Sequence, residues 1–290
     1  MCPAKAKRKA KENKVVLFED KYLLAINKPS GMVVNRGFAL QGVSLQDWVE
    51  SLSFWPASPA PAGSPLHCEA SEVRPWRQRG ERRLESTQIN ADFTQRSGIV
   101  HRLDKETSGV LLIAKTPEAF VELQRQFKDR ETEKVYMGLV HGKVEPEKGE
   151  IDAPIGRNPR VRTKFAVIDS GREAVTSYNV LANFSSRDPE RRLKSATTPE
   201  AFSLVEFYPK TGRTHQIRVH AKHIGHPIVS DYLYAGRKTT RNDRKWCPRL
   251  FLHAAKLSFT HPAAKKSMAV EAPLPLGLQT VIANFNSRPD

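Results

Sequence analysis

The chain has 290 residues, of which 39% are hydrophobic, enough to bury a full core as one domain. No apolar run approaches the roughly 20 residues of a membrane span. Its 47 lysines and arginines against 31 acidic residues give a formal charge of +16, a balance that attracts polyphosphate through counterion release but names no fold.

Residues 1–14 carry Lys5, Lys7, Arg8, Lys9, Lys11 and Lys14 against Glu12 alone, and read as a disordered basic tail. The tail either contacts phosphates or only aids solubility. It lacks the apolar stretch of a secretory signal, and lysine dominates it without an amphipathic face, so a cytoplasmic protein is expected ahead of a mitochondrial one. Cys2, Cys68 and Cys247 form no closely spaced framework, which agrees with a reducing compartment.

The domain proper is expected over residues 15–290. Glu19-Asp20 followed by Tyr22 to Gly31 predicts a hairpin, with Pro29 and Gly31 marking its exit. A helix should run from Ser44 to about Leu52, with Asp47 placed for a capping box. Residues 52–97 then read as a Pro/Arg-rich insertion. Pro56, Pro59, Pro61, Pro65 and Pro75 forbid a regular element in its first half, and Arg74 to Glu85 mixes charges densely. Trp55 and Trp76 are expected to anchor this segment rather than stack on bases, and His67-Cys68 is too sparse for a zinc site.

From Gly98 to Lys115, charged residues are caught between two apolar strand-like stretches. Val110 to Ala114 reads as a buried strand and Thr107-Ser108-Gly109 as the turn leading into it. Arg102 and Asp104 therefore sit on a loop held by rigid elements, which is how a reactive carboxylate is presented. Thr116 caps a helix with Pro117 at its first position, and Phe120, Leu123 and Phe127 recur as its core stripe. Glu133 to Gly142 alternates as a strand, with Tyr136 on the face opposite Val135, Met137 and Leu139.

Further strands are expected around Val175 to Leu181, Ser203 to Tyr208 and Phe251 to Phe259. Gly212 to His220 reads as a turn into a helix, with Thr214 as its candidate cap. Arg237, Lys238, Arg241, Arg244, Lys245 and Arg249, with Asp243 the lone acid, predict a basic surface loop. His215, His220 and His223 lack the spacing of a zinc hydrolase. The whole is an α+β pattern without internal repeats.

Four of these blocks, Tyr22 to Gly31, Gly98 to Lys115, Glu133 to Gly142 and Gly212 to His220, stand in the order of the RluA-type pseudouridine synthases, which the sequence resembles. The likeness continues through Ala153 to Arg157, Gly171 to Leu181, His226 to Asp231 and Leu252 to Ala254. It covers most of residues 15–283 outside 52–97 and departs at Asn35, where many members carry histidine; no loss of chemistry is expected there.

The resemblance implies a pseudouridine synthase fold, α+β with a mixed, mostly antiparallel central sheet flanked by helices and loops, and RNA in a cleft across it. It implies isomerisation of specific uridines in ribosomal RNA, transfer RNA or both, by a monomer with no cofactor and no metal. Asp104 falls on the family's catalytic aspartate, which either attacks the anomeric carbon or removes a proton from the neighbouring sugar carbon. Both routes need a charged carboxylate, which a closed cleft disfavours unless a cation stands close. Arg218 matches the family's basic residue and is the expected partner, with Arg213 next in line. Tyr136 matches the tyrosine that stacks on the uracil and is a candidate for helping to remove the carbon-5 proton.

Arg102 matches the residue that fills the gap left by the flipped base. Arg157, Arg213, His215 and Lys238 complete the expected RNA-binding set, and the basic 237–249 segment is expected to join it. His101 and His215 are read as structural or backbone-orienting groups. No amino-terminal region large enough for the auxiliary RNA-binding domain of many relatives is visible, so target choice is expected to rest on the core, the insertion and the basic segments. The alternative is an inactive RNA-binding relative, disfavoured because Asp104, Tyr136 and Arg218 are all present.

Overall fold

Seven consecutive buried residues, Ser108–Ala114, form strand β3. A strand apolar on both faces must be covered on both, so it lies inside a sheet. The computed structural model describes residues 15–36, 42–53, 55, 80–185 and 201–286, the backbone alone at 80–87 and 286. The expectations for the basic tail, for Trp76, for His67-Cys68 and for the proline-rich half of the insertion lie outside these residues.

On one side β3 pairs with β2 (Leu23–Lys28), itself paired with β1 (Val16–Glu19), which is the expected hairpin. On the other side it runs parallel to β10 (Leu252–Thr260), and every other pairing among the described strands is antiparallel. The sheet continues through β4 (Glu133–His141), β9 (Ala201–Pro209), β8 (Val175–Ser185) and β5 (Lys148–Asp152), with β11 (Ser267–Glu271) on β10. A separate ribbon joins β6 (Ile155–Arg157) to β7 (Phe165–Val167). The α+β class and the mixed, mostly antiparallel sheet are as expected.

The turn before β3 is displaced from its expected place. It spans Asp104 to Thr107, closed by the Thr107 N–H donating to the Asp104 carbonyl, and Ser108 and Gly109 already belong to the strand. Gly109 has φ +120°, and a Cβ there would lie 2.2 Å from the Ala254 carbonyl oxygen. Only glycine lets β3 and β10 approach this closely.

Helix α1 (Leu45–Glu50) has the reciprocal Ser44 and Asp47 capping box. Helix α2 (Gly80–Gln95) occupies the second half of the expected insertion. Its end enters the core through Phe93, whose ring packs 5.0 Å from Trp55 and 5.8 Å from Phe120. Trp55 therefore anchors the segment, as expected. Helix α3 (Pro117–Lys128) starts at Thr116, whose side chain accepts from the Ala119 N–H.

These three helices cover the β1–β3 half of the sheet. At the other half, helix α4 (Gln216–His223) packs on one face with Val140, Val205 and Phe207, while Leu139 and Leu204 face the opposite side and meet helix α6 (Leu276–Asn286) through Leu278 and Val281.

Two local expectations are corrected. Thr214 does not cap α4. The cap position is His215, in the left-handed region at φ 58°, and it makes no side-chain capping bond. The buried Gln216 side chain fixes the entry instead, accepting from the Arg213 N–H and Thr211 and donating to the Val175 carbonyl. The basic 237–249 segment is not a loop but begins as helix α5 (Arg237–Asp243), with Thr240, Asp243 and Cys247 buried beneath its exposed cations. Among the described residues no helix is long and apolar enough to cross a membrane.

Candidate active site

The Asp104 loop is pinned from three sides. Behind it, the His101 Nε2 accepts from the Leu112 N–H at 3.0 Å and its ring stacks on Phe127 at 4.5 Å. Burial, with Lys134 adding, pushes the His101 pKa down to about 3, which keeps it neutral and able to accept. This is the backbone-orienting role expected of it. Ahead of the loop, Leu103 is buried. Beneath it lies Lys28, 0% exposed, whose ammonium donates to the carbonyls of Pro29, Met32 and Lys105 at 3.0, 3.0 and 3.2 Å.

Burial and then Arg249 push Lys28 down to about 7, with Asp104 pulling the other way. Ser30 Oγ also donates to the Glu106 carbonyl, so the hairpin exit holds both central residues of the turn. Lys28 stands inside one of the family-like blocks, yet its sequence context assigns it no task. A lone lysine after an apolar strand does not announce that its ammonium will be buried.

Opposite the loop, Arg218 projects from α4 at 4% exposure. Its Nε and Nη2 donate to the two oxygens of Asp231 at 2.7 and 2.9 Å, a bidentate pair, and its Nη1 donates to Asp104 Oδ2 at 3.2 Å. Burial works against the arginine's charge, but the Asp231 bonds and charge, with Asp104 behind them, raise its pKa further. Asp231 is itself 0% exposed and accepts from the N–H groups of Leu233 and Tyr234. The Tyr234 ring lies 5.1 Å under the guanidinium.

His215 completes this wall: Nδ1 pairs with the Tyr234 hydroxyl at 2.8 Å, and Nε2 lies 3.8 Å from Asp104 Oδ2. Asp231 ends a family-like block but was given no role from sequence, and Tyr234 was not singled out. The available signal was an acid directly after the run Pro227-Ile228-Val229-Ser230.

Asp104 and Arg218 open onto a cleft of about 500 Å3, also lined by Tyr136, Arg102, Arg213 and Lys210. Tyr136 is carried by β4, between Ala254 of β10 and Phe207 of β9. Burial, with the Asp104 charge adding, pushes its phenol well above the ordinary tyrosine range. A phenol so held is a ring platform and a hydrogen-bond donor, not a standing base.

Arg213 donates through Nε to the Glu173 carbonyl at 2.9 Å, so the contact with Asp104 belongs to Arg218. Arg102 is exposed at the cleft. Arg157 stands apart, its guanidinium 5.4 Å over Phe165, whose ring meets His215 at 5.7 Å. Lys238 is exposed on α5 and does not line the cleft.

An aspartate, a buried arginine and a tyrosine converge here from a loop, a helix and a strand on one sheet. Residues 22–223 match the family model described as RNA pseudouridylate synthase. The chain is 36% identical over 278 residues to ribosomal large subunit pseudouridine synthase D of Nitrosomonas europaea, covering 94% of this chain and 66% of that protein. It is 43% identical over 193 residues to an uncharacterized RNA pseudouridine synthase of Chloroflexus aurantiacus, covering 67% and 55%.

The chain thus spans between about half and two thirds of the length of these relatives. The solved structure of human RNA Pseudouridylate Synthase Domain Containing 4 shares the fold, with a TM-score of 0.61, 21% identity, and 98% and 97% of the two chains covered. With motifs, fold and family model agreeing over the segment that carries Asp104, Tyr136 and Arg218, the chain belongs to the RNA pseudouridylate synthase family.

Proposed function

We propose that the protein isomerises specific uridines of structured RNA to pseudouridine, with ribosomal RNA as the favoured substrate, since several relatives are named as synthases of the large ribosomal subunit. The observation that carries this reading is the 3.2 Å contact of Arg218 with Asp104 at a cleft shared with Tyr136. The reaction breaks the bond from C1′ to N1, turns the uracil and joins C1′ to C5. Asp104 supplies the carboxylate for the first step, as nucleophile at C1′ or as base at the neighbouring carbon. In the first case uracil leaves with the bonding pair, C5 then attacks C1′ and the carboxylate departs; the C5 proton is lost last.

Arg218 is the fixed counter-charge of this carboxylate. Because Asp231 holds it through two N–H bonds, it needs no reorganisation when the cleft closes over RNA. Tyr136 offers its ring to the turning uracil, and its phenol takes up a proton only by passing its own on. The target base leaves its stack at a cost of a few kcal/mol, and Arg102 at the cleft fills the gap. The formal charge of +16 supplies the general attraction to phosphate.

The test is tritium release from a large-subunit ribosomal RNA transcript labelled at C5 of uridine. Asp104→Asn should abolish release while RNA affinity stays within a few-fold, because the amide keeps the shape but neither attacks nor deprotonates. Appreciable turnover by a verified variant would sink the assignment.

A further inference from the structure

Behind the wall formed by His215 and Arg218 lies a second hollow of about 430 Å3, which the chemistry above does not use. Its other lining residues include Lys105, Glu106, Tyr232 and Arg244. Tyr232 is 53% exposed, although it stands between the fully buried Asp231 and the largely buried Tyr234. Its backbone is not free to move. Asp231 Oδ1 accepts from the N–H groups of the next two residues after Tyr232, and Ser230 before them sits at φ 61°. The carboxylate that orients Arg218 therefore also fixes the backbone that carries this solvent-exposed ring, beside the wall of the first cleft.

The charges around this ring are mostly positive. Lys105 directly follows the catalytic aspartate and is exposed, and Arg244 reaches across from the end of α5. Glu106 is the acid of the hollow, and it pairs with Arg244 at 3.3 Å, which orients the guanidinium while partly offsetting its charge. An exposed aromatic that shares a hollow with two cations is the chemistry that holds an unpaired nucleotide: the ring takes the base and the cations take the phosphate.

We propose that this hollow is a subsite for the nucleotide adjoining the target uridine, with its base stacked on Tyr232 and its phosphate between Lys105 and Arg244. The inference rests on the functional reading above. Turning a uridine out of its stack leaves the neighbouring base without one stacking partner, and contacts to flanking nucleotides set sequence context in base-flipping enzymes. The first cleft holds the uridine against Tyr136, and the second holds its neighbour, with His215 and Arg218 as the shared wall.

The experiment begins by mapping, with carbodiimide-based sequencing, the uridine that the wild-type protein modifies in a large-subunit ribosomal RNA transcript. A short hairpin carrying that uridine, and two versions with an abasic sugar on either side, then serve as probes for wild type, Tyr232→Ala and Tyr232→Phe. Tyr232→Ala should lower kcat/KM on the intact hairpin about 10- to 100-fold, the range expected for one base–aromatic stack. Tyr232→Phe, which keeps the ring, should recover most of that loss. One of the two abasic hairpins should cost the wild type a similar factor and cost Tyr232→Ala little more.

Wild-type rates in Tyr232→Ala, or a loss that multiplies with both abasic substitutions, would overturn the subsite while leaving the isomerase intact. A wild-type protein that modifies no uridine would overturn the functional reading itself, and the subsite with it.

Discussion

Arg218 is a buried cation between two carboxylates, and the two are not equivalent. Asp231 is fully buried and holds one edge of the guanidinium through two N–H bonds, whereas Asp104 is partly exposed and takes one N–H at 3.2 Å. The first contact sets geometry, and the second is the one that the proposed chemistry uses. Asp231→Asn should therefore lower the single-turnover rate with little change in RNA affinity, because the amide holds the guanidinium in one place less firmly. It should also cost stability, since breaking one side of a buried pair typically costs about 3–5 kcal/mol.

A urea titration beside the rate measurement reads both effects; a variant stable as wild type and equally fast would remove Asp231 from the site. Arg218→Lys should retain more activity than Arg218→Ala, because charge survives while the fork does not. At this scale the sequence was informative where a residue stands in a motif, as for Asp104, Tyr136 and Arg218, which the fold brings to one cleft. It was silent on Asp231 and Lys28, whose roles come from which carbonyl, carboxylate or guanidinium the fold places beside them.

Single elements set how precisely those residues are held. β3 carries the Asp104 turn at its entrance, and Gly109 is where β10 comes closest, with the Ala254 oxygen 2.2 Å from any added Cβ. Gly109→Ala should prevent this pairing or push β10 aside, a loss of several kcal/mol by overpacking and by strain at positive φ. Circular dichroism melting of the purified variant would show it; an unchanged melting temperature would mean the two strands part at little cost.

On α5 and just past its end, Arg237, Lys238, Arg241 and Lys245 are exposed, so changing them to glutamine should spare the fold. It should flatten the salt dependence of RNA binding, by roughly 0.7 to 0.9 in log–log slope for every phosphate that the helix no longer neutralises. An identical slope would mark the helix as solvated surface. The capping box of α1, the Thr116-Pro117 start of α3 and the alternation of β4 were legible because each is a local pattern. Helices α2 and α5 were not. The first mixes charges until Phe93 enters the core, and the second buries polar Thr240 and Asp243 rather than an apolar stripe.

Across the whole molecule, one sheet gathers the site from residues as far apart as Lys28 and Asp231, so its geometry stands or falls with the packing around β3. Two histidines brace that strand from outside. His101 accepts from the Leu112 N–H, and His253 of β10 pairs with Ser108 through Nδ1 and with the Ala272 carbonyl through Nε2. Burial lowers the His253 pKa to about 4, with the Ala272 carbonyl opposing and Arg249 adding; for His101 the value is about 3.

Both values lie below the ordinary histidine value of about 6.5. As pH falls through that value, the unfolded chain takes up protons that the folded protein refuses. The unfolded state then binds more protons, so stability declines as pH falls from about 6.5 towards 4, by up to about 1.4 kcal/mol per pH unit for each imidazole. Repulsion within a chain of formal charge +16 acts in the same direction as its carboxylates protonate. His253→Gln keeps a donor and an acceptor but does not titrate, so its stability should fall less steeply over this range than that of the wild type. Urea midpoints measured at intervals between about pH 7 and pH 4 decide the matter: parallel curves for the two proteins would clear His253 of any part in the acid sensitivity, and a shallower curve for the variant assigns that share of it to the junction of β3 and β10.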